Sequence, residues 1–419
     1  MPDLPPIKGR WGAARAPIFF LLLMSVFFAG TAWGESYDVV PSLRVQQEFN
    51  DNVDFSGTSR KSALFTTIAP QIEFAKRDAR TDAAASAGVS EVVSSNTNGS
   101  DTVLNQNYQG RLTYLLSERL NANLNAAYFV YDKSNSLTNN TDIVINANRH
   151  DVQNYSTGVA YAISEKDVVN FSYKYVQETY DNLSQLNYTN HNVSTGISHD
   201  LSDFFPDAKG MLGFYYGKYD YASSTSDNFV ATVGLGYAIN EKWAVSVDAG
   251  GRYTSSEFDS MQLVPLPPPL DTLFVLQPVR LRNNGVGMVA DASLSVKSEL
   301  TDGTLTFSRN VTVASSRSGM AETNSVDLLV HHFFSPKWSL AASLEYQTSK
   351  SSGNEFTASN IDEEYIRSNL SLRYEFVKNM ALETAYSFTR ANYRQSHVTA
   401  DKNSFLVNLT IRHPFFDRW

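Results

Sequence analysis

The chain contains no cysteine, which removes disulfides, thiolate metal sites and cysteine nucleophiles. Charge is scarce: Asp, Glu, Lys and Arg make up 18% of the 419 residues, against roughly 25% in soluble domains. Positive charge is in deficit. A formal net charge of −9 argues against nucleic acid as a partner, since that needs a basic surface. Long apolar runs are missing after residue 34, where no segment approaches the roughly 18 residues that a membrane helix needs. Aromatics are plentiful instead, with 22 Tyr and 25 Phe, yet the mean hydropathy is only −0.28. This combination suits strands that alternate apolar with small polar residues.

The N-terminus carries a separate signal. Lys8, Arg10 and Arg15 precede the apolar run Ile18 to Phe28, and Ala32-Trp33-Gly34 offers a small-x-small cleavage site. This order predicts a secretory signal peptide over residues 1–34, cleaved near Gly34, and a mature chain of residues 35–419.

Period-2 alternation runs through the mature chain. In LSLRYEFVKNMALETAYSF, Leu370, Leu372, Tyr374 and Phe376 share one parity, and Leu382, Tyr386 and Phe388 continue it beyond Lys378-Asn379. Arg373, Glu375 and Glu383 fall on the other parity. The same pattern holds at Leu120–Val130 against Asn121, Asn123 and Asn125, and at 229–239, 243–249, 286–296 and 340–346. Such segments predict strands with one apolar and one polar face.

Two kinds of connection take turns. Tight polar turns are expected at 76–80, 117–119, 164–167, 203–208, 240–242, 300–303, 335–337 and 378–379. Longer connections rich in Asn, Ser, Thr and Gly separate them. The longest, Phe258 to Leu281, contains PLPPPL and reads as an extended loop, because proline opposes pairing. About 18 strands result, with eight tight turns, nine long loops and both termini on the tight-turn side.

Strands with one apolar face build either a soluble sandwich or a membrane barrel. The mature chain has no interdomain linker, and its turns alternate short with long, as in bacterial outer-membrane barrels. In lipid every backbone polar group needs a partner, so such strands must close. The predicted fold is all-β: a closed antiparallel transmembrane β-barrel of about 18 strands, with short periplasmic turns and long outer loops. Leu370, Leu372, Tyr374, Phe376, Leu382, Tyr386 and Phe388 are then candidates for the lipid face. Asn121, Asn123, Asn125, Lys174, Asp248, Asp291, Arg373, Glu375 and Glu383 are candidates for the lumen lining. Tyr114, Tyr128, Tyr161, Trp243 and Trp338 are candidates for interfacial girdles.

Phe405, Val407, Leu409 and Ile411 alternate in the last segment, which carries Phe415 and ends on Trp419. It resembles the terminal strand of Gram-negative outer-membrane β-barrels. Pro414, which interrupts the strand, and Asp417 depart from that pattern. The resemblance implies an outer-membrane location, outer-membrane lipid and the barrel assembly machinery as partners, and Phe415 and Trp419 as the assembly signal. PSLRVQQEFNDNV (41–53) resembles the first strand of the β-barrel porin family associated with exopolysaccharide and exosortase gene sets. That likeness covers about 15 residues closely and implies export of polysaccharide or oligosaccharide with a periplasmic partner. Diffusion of hydrophilic solutes through a porin is the alternative, and an outer-membrane enzyme or adhesin with a plugged lumen is a third.

Catalytic chemistry finds little support. His331-His332 is an adjacent pair whose members point to opposite faces of a strand. Asp362-Glu363-Glu364 reads as a solvated edge. Gly250-Gly251 and Gly234-x-Gly236 lack a following helix and read as room for bulky neighbours in a wall. No catalytic residue, metal or cofactor is expected.

Overall fold

A computed structural model describes residues 36–95, 101–131, 149–181, 187–265, 267–268, 273–313, 320–351, 356 and 360–415. The expected signal peptide and Trp419 lie outside these residues. Eighteen strands are described: β1 (Ser36–Asn50), β2 (Ala63–Arg77), β3 (Thr81–Ser94), β4 (Asp101–Ser117), β5 (Leu120–Tyr131), β6 (His150–Ala162), β7 (Asp167–Tyr180), β8 (Tyr188–Asp200), β9 (Ala208–Tyr221), β10 (Ser224–Ala238), β11 (Trp243–Pro265), β12 (Phe274–Lys297), β13 (Thr301–Val313), β14 (Met320–Ser335), β15 (Trp338–Ser351), β16 (Ile361–Val377), β17 (Met380–Tyr393) and β18 (Val398–Arg412). Each pairs antiparallel with its sequence neighbours, and β1 pairs with β18 from Ser42↔Arg412 to Asn50↔Ser404. The sheet is closed, as the alternation demanded, and the strand number agrees with the expected one. Within the paired wall, closure supplies the partners that lipid cannot.

All eight expected tight turns join strands at one rim. Three share one construction: a register shift next to the turn, at Leu115/Ser117, Phe333/Ser335 and Glu375/Val377, then a two-residue connection. The Ser117 and Ser335 hydroxyls accept the N–H groups of Arg119 and Lys337, and Asn379 takes the left-handed conformation (φ 70°) that Asn tolerates. At the β2–β3 turn the N–H groups of Arg80 and Thr81 donate to Asp78 (2.8 and 2.9 Å), which holds its carboxyl below the usual range.

The opposite rim differs from the expectation in two respects. Its connections are not uniformly long: β9 and β10 are joined by Ala222 and Ser223, and β17 and β18 by residues 394–397. The expected loop Phe258–Leu281 is largely strand, because β11 and β12 stay paired out to Pro265↔Phe274. Prolines fit there because, among the described residues, β11 beyond Phe258 and β12 beyond Ala290 pair only with each other and are edges.

Pro414 does not stop the closing ladder. The N–H groups of His413 and Phe415 donate to the carbonyls of Pro41 and Val39, both at 2.9 Å. The acidic-Asn segment after β1 also acquires a structural role. Asn52 is fully buried and donates to the carbonyls of Ser56 (2.9 Å) and Asp401 (2.7 Å), while Asp51 accepts from the Asn403 backbone and side chain at 2.7 Å. These bonds fasten the β1–β2 connection to β18, and Phe55 packs with Tyr365, Ala391, Tyr393 and Ala400. An Asn52→Ala barrel is expected to lose about 1–3 kcal/mol, the cost of orphaned buried groups, read as a lower denaturant midpoint at unchanged m-value.

Candidate functional site

The register decides which parity faces inward. Leu43, Val45, Phe171, Phe214, Val233, Leu235, Leu370, Leu372, Tyr386 and Phe405 share the outer face and are exposed. Tyr374, Phe376, Leu382 and Phe388 lie on the same outer face. Tyr114, Tyr161, Trp243 and Trp338 stand on it near the tight turns, and Trp338 stacks on Tyr374 at 4.4 Å. Tyr128 is also on the outer face, stacked on Tyr108 at 6.3 Å.

The opposite parity lines the interior. Asn121, Asn123 and Asn125 on β5, Lys174 on β7, Asp248 on β11, Asp291 on β12, Arg373 and Glu375 on β16 and Glu383 on β17 all fall on it. Two pairs meet across the ladder: Asp248 opposite Asp291, and Arg373 opposite Glu383. Gly234 leaves the space that the Asp248 carboxylate fills. Gly250 lies against the Ala231 backbone, whereas a side chain at Gly251 would meet nothing within 4 Å, so the expected role of these glycines holds at some positions and not at Gly251.

A cavity of about 1070 Å³ occupies the interior between β1–β9 and the facing strands β13–β15. Of the lumen candidates, Lys174 lines it; the other eight face the interior elsewhere. The lining is dominated by amides that the sequence reading passed over: Asn105, Asn107 and Gln109 on β4, Asn154 on β6, and Asn190 and Asn192 on β8. The signal was there, since Asn105, Asn107 and Gln109 alternate as the Asn121–Asn125 row does. Carboxylates exceed fixed cations around the cavity: Glu48, Glu178, Asp327 and Glu345 against Arg44 and Lys174.

One His–carboxylate contact sits in this cavity. His150 Nε2 lies 3.8 Å from Glu178, its ring is stacked 5.1 Å from Tyr180, and the Tyr180 hydroxyl donates to Glu178 at 2.5 Å. Tyr131 lies on the other side of the imidazole at 5.5 Å. The aromatic stack orients the ring. His331 and His332 point to opposite faces, with His332 on Thr301 (2.8 Å) and His331 edge-on to Phe333. Asp362 and Glu364 both face Arg394, and Glu364 also accepts from Tyr346. Among the described residues no group of three or more His, Asp or Glu could hold a metal ion.

No family model matches the chain, and no curated protein matches it. Solved structures do. Pseudomonas aeruginosa OpdL aligns with TM-score 0.40 and 12% identity over 90% of this chain and 99% of its own. Acinetobacter baumannii OccAB4 aligns with TM-score 0.44 and 11% identity over 91% and 98%. The ferric-catecholate import receptor Fiu from E. coli K12, in its closed form, aligns with TM-score 0.45 and 8% identity over 90% and 82%. The class of this chain rests on its own register: it is a closed transmembrane β-barrel of porin size.

Proposed function

We propose that the chain is an outer-membrane channel for passive diffusion of small hydrophilic solutes, with some preference for cations. The observation that carries this is a closed wall with an apolar outer face around a water-accessible, amide-rich cavity. Amides exchange hydrogen bonds with a passing solute without holding it by charge. The excess of carboxylates, together with Asp248 facing Asp291 across the ladder, favours cations. Such like-charge pairs weaken a sheet, so they stand at the expense of stability.

Polymer export is the less favoured reading. Structure folded into the interior from β13–β14 and from the β1–β2 connection occupies part of the lumen, which favours small solutes over a polymer. An enzyme would need a nucleophile or activated water at His150–Glu178, and the Tyr180 hydroxyl is already bonded to that carboxylate. Residues 1–34 would direct secretion, Phe415 and Trp419 would present the terminal strand to the assembly machinery, and the tight turns would face the periplasm.

Purified barrel in planar bilayers is expected to give stable conductance steps with a cation-favouring reversal potential. Proteoliposomes should swell in monosaccharide and resist dextran. Vesicles that stay sealed to every solute would refute the channel. Passage of dextran, or loss of surface polysaccharide on deletion, would restore export. The Asp248→Asn, Asp291→Asn double variant should move the reversal potential toward zero and leave folding intact.

A further inference from the structure

Between β12 and β13 the wall is closed by a short ladder only. These strands pair only from Lys297↔Asp302 to Ala290↔Arg309, although β12 runs on to Phe274 and β13 to Val313. Among the described residues, β12 beyond Ala290 is paired with β11 alone, and Val286 and Met288 on its outer face are 85% and 69% exposed. Upper β13 and β14 turn inward at this gap, with β14 still paired to β15 out to Glu322↔Lys350. Arg252 on β11 and Glu322 on β14 belong to strands three spacings apart, about 14 Å in a continuous sheet, yet their side chains meet at 2.9 Å. By parity Arg252 points inward and Glu322 points outward. The contact therefore requires the outer side of upper β14 to lie under the inner side of β11.

Two further contacts fix this position. Within the β13–β14 pair Glu322 also binds Arg309 at 2.6 Å. Val311, Met320 and Phe356 pack with Tyr219 and Tyr221 of β9, and the Arg252 guanidinium lies 5.1 Å from the Phe356 ring. Gly285 and Gly287 of β12 leave the space: a side chain at Gly287 would strike the Arg252 guanidinium at 2.6 Å, and one at Gly285 would touch Phe356.

Two features are out of place for a permanent arrangement. The inner surface around Arg252 is polar: Ser226, Asn228, Arg252, Thr254 and Ser256 are all buried. Among the described residues Asn228 Nδ2 and Arg252 Nε have no partner, which is costly. Meanwhile β13 keeps the alternation of a wall strand. Val311 and Val313 share the outer parity of Leu305 and Phe307, and Asn310 and Thr312 share the inner one. Extending the existing register by four residues would pair Val311 with Met288 and Val313 with Val286, giving residues 286–289 of the β12 edge the partners that a membrane environment demands.

We propose that upper β13–β14, residues 310–313 and 320–323, is a displaceable gate with two positions, latched inward over β11 by Arg252–Glu322–Arg309 and outward by zipping onto β12. The inward position narrows the lumen and leaves the wall lapped at β12–β13. The outward position widens the lumen and carries the β12–β13 ladder on to Val286. The two compete because each satisfies groups that the other strands: ions and aromatic rings inward, backbone edge outward.

This inference rests on the channel reading, and its test reads the gate without needing conductance. Because the chain lacks cysteine, Val286→Cys with Val313→Cys reports the outward position through a short bismaleimide, in folded barrel reconstituted in vesicles. Leu294→Cys with Leu305→Cys, already opposite in the ladder, is the reference. The gate pair is expected to link more slowly than the reference. Adding Glu322→Gln should speed it at least about tenfold, the change that each ~1.4 kcal/mol of lost latching produces. Arg252→Met should act in the same direction if Glu322→Gln impairs folding. A gate pair that never links while the reference links fully would show a fixed wall and overturn the proposal. Linking at a rate indifferent to both substitutions would overturn the latch. Conductance on the same samples judges the channel separately: a gate that moves in a non-conducting barrel would sink the function and spare the motion.

Discussion

Leu372→Arg should cost the folded barrel about 2–4 kcal/mol, the depth-dependent penalty for a cation facing lipid near the midplane. Leu372 lies on the outer face of β16, opposite Leu340 on one side and Thr384 on the other. It stands five residues before the strand's end at Val377. At about 3.4 Å per residue and a tilt near 40°, that is roughly 13 Å from the turn along the barrel axis, near the middle of a ~25 Å apolar band. An arginine there is too far from either interface to reach water with its full guanidinium shell. The folding equilibrium into vesicles should fall roughly 30- to 1,000-fold. It is read from urea titration and from the fraction migrating as folded barrel on unheated gels. The neighbouring Arg373→Ala removes a charge from the inner face, where water already surrounds it, and should stay within about 0.5 kcal/mol of the parent while altering conductance. If Leu372→Arg is no more destabilising than Arg373→Ala, the assignment of faces is inverted or the chain is not in a bilayer.

That contrast between adjacent residues was legible in the sequence because it is local. A strand shows its two faces at every second residue, and Leu370–Phe376 against Arg373 and Glu375 needs no tertiary information to be read. The tight turns were legible for the same reason. Their conformations are set by Ser117, Asp78 and Asn379 acting on backbone within a few residues. Proline misled at 258–281 because its effect depends on whether the strand has two neighbours. β12 has one beyond Ala290, which is a tertiary fact.

The interior was legible as polar but not as shaped. Arg252 meets Glu322 across 70 residues, and Phe356 meets Tyr219 through no pattern that either segment displays. β13 even reads as ordinary wall to Val313, which is why its departure inward is invisible in the sequence. The amide row Asn105, Asn107 and Gln109 was readable by the rule that found Asn121, Asn123 and Asn125. What the rule could not supply was the cavity that places one row around the solute path and the other elsewhere in the interior.

Gly250→Ala should be the most damaging single methyl in the wall. Gly250 pairs with Thr232 on β10 and Val289 on β12. An added Cβ would overlap the Ala231 carbonyl oxygen and approach the Ala231 carbonyl carbon and Thr232 Cα at 2.8 Å. These are backbone atoms on the adjoining strand, so no rotamer change relieves the contact; β10 and β11 must separate. Separation strains two ladders at once, and the ladder is what makes the strands compatible with lipid. The cost should reach about 3 kcal/mol, the upper end of ordinary overpacking, with each broken ladder bond adding about 0.5–1.5 kcal/mol. Gly251→Ala is the matched control, since its Cβ would point into open space. It should fold as the parent does, or slightly better, because alanine restricts the unfolded chain more than glycine. Denaturant midpoints and folded yields of the two variants, side by side, separate a steric effect from a loss of glycine flexibility. Equal damage from both would mean that β11 needs glycine for its backbone conformation, and equal tolerance would mean that β10 and β11 are not held in the register that places Gly250 against Ala231.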